Sequence, residues 1–213
     1  MSKNLINIKK LAVIGCSGLV GSSILRCALE KGYEVNGTMR NIEDSTKINY
    51  LKKLKNFEKL NLFKAEMSNE NDFNFCLQDI STLFIACLVP TYKGFDGTLA
   101  KELDDKRGYN EIINPTVNGC LNILKSAKKL DVKNVVICSS TSSTNPIPPV
   151  PIKNEIDHWS DEIEQCKSKK YTSATKTIME KAAIKFCNDN NIRLSIILPT
   201  GLYGDAVLPD HMK

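Results

Sequence analysis

The sequence has 213 residues, of which 42% are hydrophobic and 25% are charged, and its formal net charge is +5. This length suits a long single domain, or one and a half domains, with a substantial apolar core. The 29 basic and 24 acidic side chains are spread along the chain, without a basic stripe interleaved with aromatics. The charge therefore predicts a lysine-rich surface and no nucleic-acid partner.

Eight cysteines and two histidines bear on metal binding and on the cellular compartment. No two cysteines form a Cys-x-x-Cys pair, so no metal site is expected. The cysteines lie in apolar or helical patterns, which is typical of small buried side chains in a reducing compartment. The sequence therefore predicts a cytoplasmic protein.

A targeting or membrane segment is not expected. Only five residues separate Lys10 from Cys16, whereas the apolar core of an export signal needs about 7–15 residues. No uninterrupted apolar run approaches the ~20 residues that cross a bilayer. Lys9 and Lys10 are interpreted as the solvated lead-in to a first strand.

The hydrophobic pattern predicts six strands that alternate with helices. The predicted strands are 11–14, 33–39, 60–65, 82–89, 132–138 and 192–198. The predicted helices are 19–31, 47–57, 71–80, 109–130 and 172–190, with Pro115 near an early turn or kink. Because the strands are continuously apolar, they indicate a parallel sheet covered by helices on both faces, a doubly wound α/β fold. The 32-residue connection over 139–170 is too long to be idle and is predicted to lie on the substrate side.

Three glycines lie between the first predicted strand and the first predicted helix. Gly15, Gly18 and Gly21 recur at intervals of three. In this setting the first permits a tight turn, the second lets a pyrophosphate approach the backbone, and the third lets helix and strand pack closely. The phosphates would lie at the positive end of the helix. The motif predicts a Rossmann-type NAD(P) site, and the alternative is a packing turn without a ligand.

The end of the second strand indicates which dinucleotide is bound. Arg40 follows that strand, and Lys47 comes a little later. A guanidinium suits the 2′-phosphate of NADP, whereas an acidic residue would favour NAD. Glu43 and Asp44 in the same loop could compete, and Arg40 could be an ordinary surface charge. The sequence predicts NADP, with NADPH preferred over NADH.

Seven stretches taken together resemble one family. They are IGCSGLVG, GTMRN, FKAEMS, NPTVNGCLNILKSA, VVICSST, ATKTIMEKAA and LPTGLYG. From about Leu11 to Gly204 the chain resembles the extended short-chain dehydrogenase/reductases of the NAD-dependent epimerase/dehydratase superfamily, in the branch of dihydroflavonol and cinnamoyl-CoA reductases. The resemblance implies NADPH-dependent reduction of a small-molecule carbonyl to an alcohol, or the reverse. Sugar-nucleotide epimerase or dehydratase chemistry on the same scaffold is an alternative.

The resemblance also implies further cofactor contacts at successive strand ends. They are Ser17, Leu19 and Val20 on the pyrophosphate loop, Glu66 and Met67 beside adenine, Ala86 and Cys87 at the nicotinamide ribose, and Pro199 and Thr200 at the nicotinamide. Trp159 and the residues after it resemble a family loop near the substrate. The alternative is that Trp159 simply anchors the long loop.

The catalytic residues that the resemblance implies are Ser140, Tyr171 and Lys176. The serine would hold the carbonyl, the tyrosine would donate the proton, and the lysine would hold the ribose and lower the tyrosine pKa. Ser140 lies in SSTSST, so the alternative for it is a hydroxyl that only caps a turn. The family tyrosine stands four residues before the lysine, where this chain has Thr172. Five residues advance an α-helix by about 500°, which leaves Tyr171 about 140° away from Lys176.

A loosened first helical turn or a π-type bulge would return Tyr171 to the site. Otherwise Thr172 or a water takes a weakened role, or the chain binds a dinucleotide without catalysis, as a sensor or interaction protein.

The extent of the chain is the second departure from the family. Family members continue well beyond LPTGLYGDAVLP, whereas this sequence stops at Lys213. Residues 1–205, including the 140–170 loop, are predicted to form the dinucleotide-binding domain, and 206–213 the start of a substrate lobe that is otherwise largely absent. A homo-oligomer or partner subunit could complete the site, the site could be open, or the sequence could be truncated.

Overall fold

The computed structural model describes residues 10–212 and contains, within them, one six-stranded parallel sheet. The strands are β1 Lys10–Ile14, β2 Glu34–Met39, β3 Leu60–Lys64, β4 Thr82–Ile85, β5 Asn134–Cys138 and β6 Arg193–Ile197. Their order across the sheet is β3-β2-β1-β4-β5-β6. The chain reverses its direction of progress between β1 and β4, which is where ligands bind in open parallel sheets.

Helices cover both faces of this sheet. They are α1 Leu19–Glu30, α2 Ser45–Leu51, α3 Asp105–Arg107, α4 Asn114–Lys129, α5 Glu162–Lys167 and α6 Tyr171–Asp189. Successive side chains of a strand point to opposite faces. Leu11 and Val13 accordingly pack with α1, whereas Ala12 and Ile14 pack with α4 and α6. The predicted doubly wound α/β fold is confirmed.

The predicted helix over 71–80 is wrong in type. A short 3₁₀ helix covers Glu70–Phe73 and turns follow it. The Asn36 amide donates a 2.8 Å hydrogen bond to the Cys76 carbonyl, which gives that carbonyl a partner other than a helical N–H. The apolar period still identified buried residues, because Phe73, Cys76 and Leu77 all lie in the core.

The predicted helix over 109–130 begins earlier and contains a wider turn. After α3, residues Gly108–Ile113 form a π-helical segment, and Pro115 lies at the start of α4. Proline has no N–H for a regular helical bond and crowds the preceding turn, so a wider turn before it removes the conflict. Pro115 thus lies in the first turn of α4, as predicted, and the helical irregularity is a π-helical segment directly before it.

Tyr171 anchors this irregular segment to the start of α6. Its side chain is 1% exposed and packs in a cluster with Ala100, Leu103, Ile112, Ile113 and Ala174. The hydroxyl donates to Asp105 Oδ1 at 2.8 Å, and Lys169 Nζ donates to the Leu103 carbonyl at 2.6 Å. The tyrosine thus ties the segment that precedes α4 to α6.

The C-terminal residues and the helix lengths bear on two further expectations. Leu208 is 2% exposed and packs with the cluster on the α1 side of the sheet. The assignment of residues 206–213 to a second lobe stays a prediction. Within residues 10–212, none of the helices combines the length and apolarity that a bilayer crossing requires.

The contact between Gly108 and Tyr171 predicts that Gly108→Ala destabilises the fold, although alanine normally favours a helix more than glycine does. Gly108 has helical dihedrals, so Gly108→Ala would by propensity stabilise the chain by about 1 kcal/mol. A Cβ there would lie 2.4–2.6 Å from three atoms of the Tyr171 ring. We expect the steric overlap to outweigh the gain in helix propensity. The variant should therefore lose about 1–3 kcal/mol of unfolding free energy, measured by urea titration.

Tyr171→Ala provides the matched background for this test. In that variant the ring is gone, so Gly108→Ala should regain its helical benefit, and the double-mutant cycle should show strong coupling. Additive effects of the two substitutions would contradict the packing described above.

Candidate active site

The carboxyl ends of the six strands bring the predicted site residues onto one edge of the sheet. Since all strands are parallel, every residue that follows a strand lies at this edge. In spatial order they are Glu66 after β3, Arg40 after β2, Gly15 after β1, Cys87 after β4, Ser140 after β5 and Pro199 after β6. The glycine loop and Cys87 flank the position where the strand order reverses.

Close packing fixes the glycine loop. Gly15 leaves β1 with φ +81°, and a Cβ there would lie 2.7 Å from the Cys87 Cβ. A Cβ on Gly21 would lie 2.1 Å from the Gly15 carbonyl oxygen, so only glycine allows α1 to approach β1 this closely. Cys16 is buried, and burial raises the pKa of its thiol to about 12. Cys16 is therefore a small core residue and not a reactive thiol.

In contrast to Gly15 and Gly21, Gly18 is not closely packed. A Cβ on this residue would contact only the Gly15 carbonyl oxygen, at 3.4 Å, and would otherwise point into open space. Gly18 caps α1 without a side chain, so the first N–H groups of the helix face this space. Ser17 and Val20 are half-buried and Leu19 is 40% exposed beside it. The loop fits a pyrophosphate, because it combines open space, unshielded N–H groups and a positive helix end.

The end of β2 places basic groups next to the loop. Thr38 is buried, and its hydroxyl accepts a hydrogen bond of 3.2 Å from the Gly15 N–H, which fixes the turn. Arg40 is exposed at the strand end. The Asp44 carboxylate caps α2 by accepting from the Lys47 N–H and lies 3.9 Å from Lys47 Nζ. Of the two acidic residues that could compete with Arg40, Asp44 is therefore engaged with its own helix.

The predicted adenine and ribose residues contact one another across the sheet edge. Cys87 Sγ lies 3.5 Å from Met67 Sδ, and Asn122 of α4 donates to the Met67 carbonyl at 3.0 Å. The Glu66 N–H is held by Asp72 at 2.9 Å. Burial raises the pKa of the Cys87 thiol to about 12, so the thiol is neutral. Ala86 extends β4 through an N–H bond of 3.0 Å to the Ile14 carbonyl.

The side chain of Lys176, which belongs to α6, extends to the same edge of the sheet. Its side chain is 9% exposed, and Nζ donates to the Leu88 carbonyl, directly after Cys87. Burial lowers the pKa of Lys176, while nearby Cys138 and Glu180 oppose this effect. The ammonium therefore lies beside the end of β4. Its partner Leu88 is one residue after Cys87, which packs against Gly15.

Glu180, one helical turn after Lys176, is 2% exposed. It accepts a hydrogen bond from the Ser139 hydroxyl at the end of β5. Burial raises the pKa of Glu180, and the hydroxyls of Ser139 and Ser143 and the charge of Lys176 lower it. A chain of polar groups thus runs from Ser139 through Glu180 toward Lys176.

Ser140 follows directly after Ser139. Its Oγ accepts from the Ser142 N–H at 3.2 Å and caps the short 3₁₀ helix Thr141–Ser143, which packs against α6. The Thr141 N–H donates to the Pro199 carbonyl at 3.3 Å, and the adjacent Thr200 is exposed. The ends of β5 and β6 are thereby joined on the side of Lys176.

The structure does not bring Tyr171 to this group, which differs from the prediction. Helix α6 is regular from Tyr171 onward, so a five-residue spacing turns Tyr171 away from Lys176. The π-type segment of the structure lies at Gly108–Ile113 and not in α6. Burial and the carboxylate of Asp105 raise the pKa of Tyr171 to about 12, the reverse of what a proton donor needs. Thr172, at the four-residue spacing, is half-buried.

Two adjoining grooves share Thr144, Glu155 and Leu198. The larger, of about 620 Å³, runs between α6 and β6 and includes Trp159, whose ring lies 5.8 Å from Lys181 Nζ. The smaller, of about 380 Å³, lies over the ends of β5 and β6 and includes Thr141 and Thr200. Trp159 thus packs the long loop against α6, in agreement with the anchoring alternative.

Several residues of the site were missed by sequence reasoning. Thr38, Leu88 and Asn122 act through backbone groups or on backbone groups of distant elements, and nothing in the local sequence marks them. Glu180 had a signal, because its spacing of four from Lys176 places both on one helix face.

Known proteins are similar to this chain in sequence and in fold. The sequence profile of the NAD dependent epimerase/dehydratase family matches residues 11–212. The bifunctional dihydroflavonol 4-reductase/flavanone 4-reductase of Malus domestica is 33% identical over 208 residues, 94% of this chain and 56% of the relative. Vestitone reductase from alfalfa superposes with a TM-score of 0.68 at 27% identity, covering 94% of this chain and 59% of that one. Yeast methylglyoxal/isovaleraldehyde reductase Gre2, complexed with NADPH, gives 0.69 at 21% identity over 96% and 61%.

The chain therefore spans between half and two thirds of the length of these relatives. The profile match includes the glycine loop, Lys176 and all the strand ends described above. It confirms the resemblance seen in the seven sequence stretches, which pointed to the extended reductases. The chain belongs to the NAD dependent epimerase/dehydratase family.

Proposed function

We propose that this chain forms the cofactor-binding part of an NADPH-dependent reductase that converts a carbonyl to an alcohol. One observation carries the proposal: the glycine loop, Arg40, Ser140 and Lys176 share one edge of the sheet, in the order that a dinucleotide lying across the reversal point requires. When bound, the nicotinamide would supply the hydride.

The cofactor contacts that we propose follow the order of the strands. Gly15, Ser17, Gly18, Leu19, Val20 and Gly21 would hold the pyrophosphate, Arg40 and Lys47 the 2′-phosphate, and Glu66 and Met67 the adenine. Ala86, Cys87 and Lys176 would contact the nicotinamide ribose, and Pro199 and Thr200 the nicotinamide. The exposure of Arg40 and the engagement of Asp44 with α2 support NADPH over NADH.

The substrate oxygen would be held by Ser140. This residue lies at the end of β5, directly before Thr141, which lines the smaller groove. A hydroxyl there can donate to an oxygen as negative charge develops on it. A partner subunit or second copy that closes these grooves stays a proposal, and so does a cytoplasmic location, which the eight free cysteines support.

A second candidate is dinucleotide binding without catalysis. The engagement of the Tyr171 hydroxyl with Asp105 and the presence of Thr172 at the four-residue spacing favour it. The two candidates agree on the cofactor and differ only in whether the bound NADPH is consumed.

A carbonyl panel separates the two candidates. We expect the chain to bind NADPH and to oxidise it with at least one aldehyde or ketone of an aliphatic and aromatic panel. The measurement is the loss of NADPH absorbance together with detection of the alcohol by mass spectrometry. Tight binding without turnover across the panel would favour the non-catalytic candidate.

Gly18→Ala is the matched control for that panel. Its Cβ points into the proposed pyrophosphate position but meets no protein atom closer than 3.4 Å. The variant should keep its thermal stability and lose NADPH binding and turnover together. Unchanged binding would contradict the role proposed for this loop.

Arg40 provides a test of cofactor choice. Loss of a charge-assisted contact costs about 1.5–3 kcal/mol, so Arg40→Ala should weaken NADPH binding by about 10- to 100-fold. NADH has no 2′-phosphate, and its binding should change little. Isothermal titration with both cofactors measures the difference, with Lys53→Ala as a control for net charge. Equal losses for both cofactors would show that Arg40 does not recognise the 2′-phosphate.

A further inference from the structure

None of the site residues described so far has been assigned as the proton donor of the proposed reaction. Carbonyl reduction needs an acid at the substrate oxygen. The only tyrosine next to that position, Tyr171, is fully buried on another side of α6 and donates to Asp105. Thr172, which replaces it, has a hydroxyl that is too weak an acid to serve alone.

We propose that Lys176 itself donates the proton to the substrate oxygen, and that Glu180 is a positioning residue behind it. This inference rests on the proposed reductase function and replaces the tyrosine expected from the sequence. Lys176 can serve because its ammonium has three N–H groups and the Leu88 carbonyl accepts only one. The other two remain for the ribose and for the substrate oxygen.

The surroundings of Lys176 favour release of a proton. Burial at 9% exposure makes its charged form less stable than in water. The titratable groups that face it are Cys87 after β4, Cys120 of α4, Cys138 of β5 and Glu180 of α6. Burial raises the pKa of all three thiols, which are therefore neutral. Glu180, held by Ser139, is thus the one carboxylate among these four groups.

The proposed step balances in atoms and electrons. As a C–H bond forms at the carbonyl carbon, the C=O π pair moves onto oxygen, and an N–H bond of Lys176 breaks to form the O–H bond. The carbonyl is reduced, with the dinucleotide as reductant, and Lys176 is left neutral until water returns its proton. Only the ammonium form is active, so turnover should fall as pH rises through the Lys176 pKa.

Thr172→Tyr tests whether an acid is missing at the four-residue position. A tyrosine there would share the face of Lys176 and restore the usual donor. We expect the variant to raise turnover by about 10-fold or more, since general acids contribute about 10²–10⁴-fold. Tyr171→Phe, which keeps the ring against Gly108, should leave turnover and its pH profile unchanged. A large loss in Tyr171→Phe with an intact fold would overturn the inference.

A measurement without cofactor tests the same point independently of activity. Titration of the Lys176 side chain by ¹³C NMR should give a pKa below the ordinary lysine value, matching the pH at which wild-type turnover falls. Because the folded pKa is lowered, the unfolded chain binds more protons between that pKa and 10.5. The unfolding free energy of the wild type relative to Lys176→Met should therefore rise with pH through this window, because the buried thiols and Tyr171, which act in the opposite direction, are common to both proteins.

Glu180→Gln tests the positioning role. The amide keeps an acceptor for Ser139 but removes the charge that favours the ammonium. We expect the Lys176 pKa to fall in the NMR titration and the pH profile of turnover to move down with it. A purely structural Glu180 would change stability without moving either value, which would overturn its assigned role.

The outcomes separate this inference from the proposed function. Turnover whose pH profile is independent of the Lys176 pKa, or that survives in Lys176→Met, overturns the inference and leaves the reductase function standing. NADPH binding without turnover in both wild type and Thr172→Tyr overturns both. Turnover in Thr172→Tyr alone shows a site that lacks its acid, and overturns the role of Lys176 as sole donor.

Discussion

The close approach of α1 to β1 is the constraint on which the rest of the structure depends. A Cβ at Gly21 would lie 2.1 Å from the Gly15 carbonyl oxygen, so the helix can begin above the strand only because hydrogen occupies that position. The same approach points the uncapped start of α1 at the sheet edge, where its partial positive charge favours phosphate. The packing of α1 and the proposed anion binding both depend on this single contact.

A second constraint acts at α6, where helical periodicity decides which side chains reach the site. Thr172, Lys176 and Glu180 recur at intervals of four and share a face, whereas Tyr171 falls on another. The chain uses that other face for packing, with the tyrosine ring on Gly108 and its hydroxyl on Asp105. With a spacing of five from Lys176 instead of four, Tyr171 thus serves as a structural anchor.

Sequence patterns predicted the fold well because buried strands and glycine punctuation are local signals. Predicted strand bounds agree within two residues except at β4, which ends at Ile85 since the chain turns at Cys87. The site was predictable where a residue directly follows a strand. It was not predictable where a partner comes from a distant element, as with Leu88 for Lys176, or where a tertiary bond overrides helix propensity, as at Cys76.

The electrostatic surroundings of Lys176 determine how the site would interact with a substrate oxygen. A buried ammonium is stable only with good partners. Here it donates to one backbone carbonyl, and the charge of the nearby Glu180 carboxylate, which Ser139 also holds, favours it. The neighbouring thiols cannot compensate the charge, because burial keeps them protonated. An oxygen that develops negative charge at the end of β5 would complete the set of partners. In the proposed reaction, the incomplete compensation in the free chain would correspond to stabilisation that becomes available as the substrate reacts.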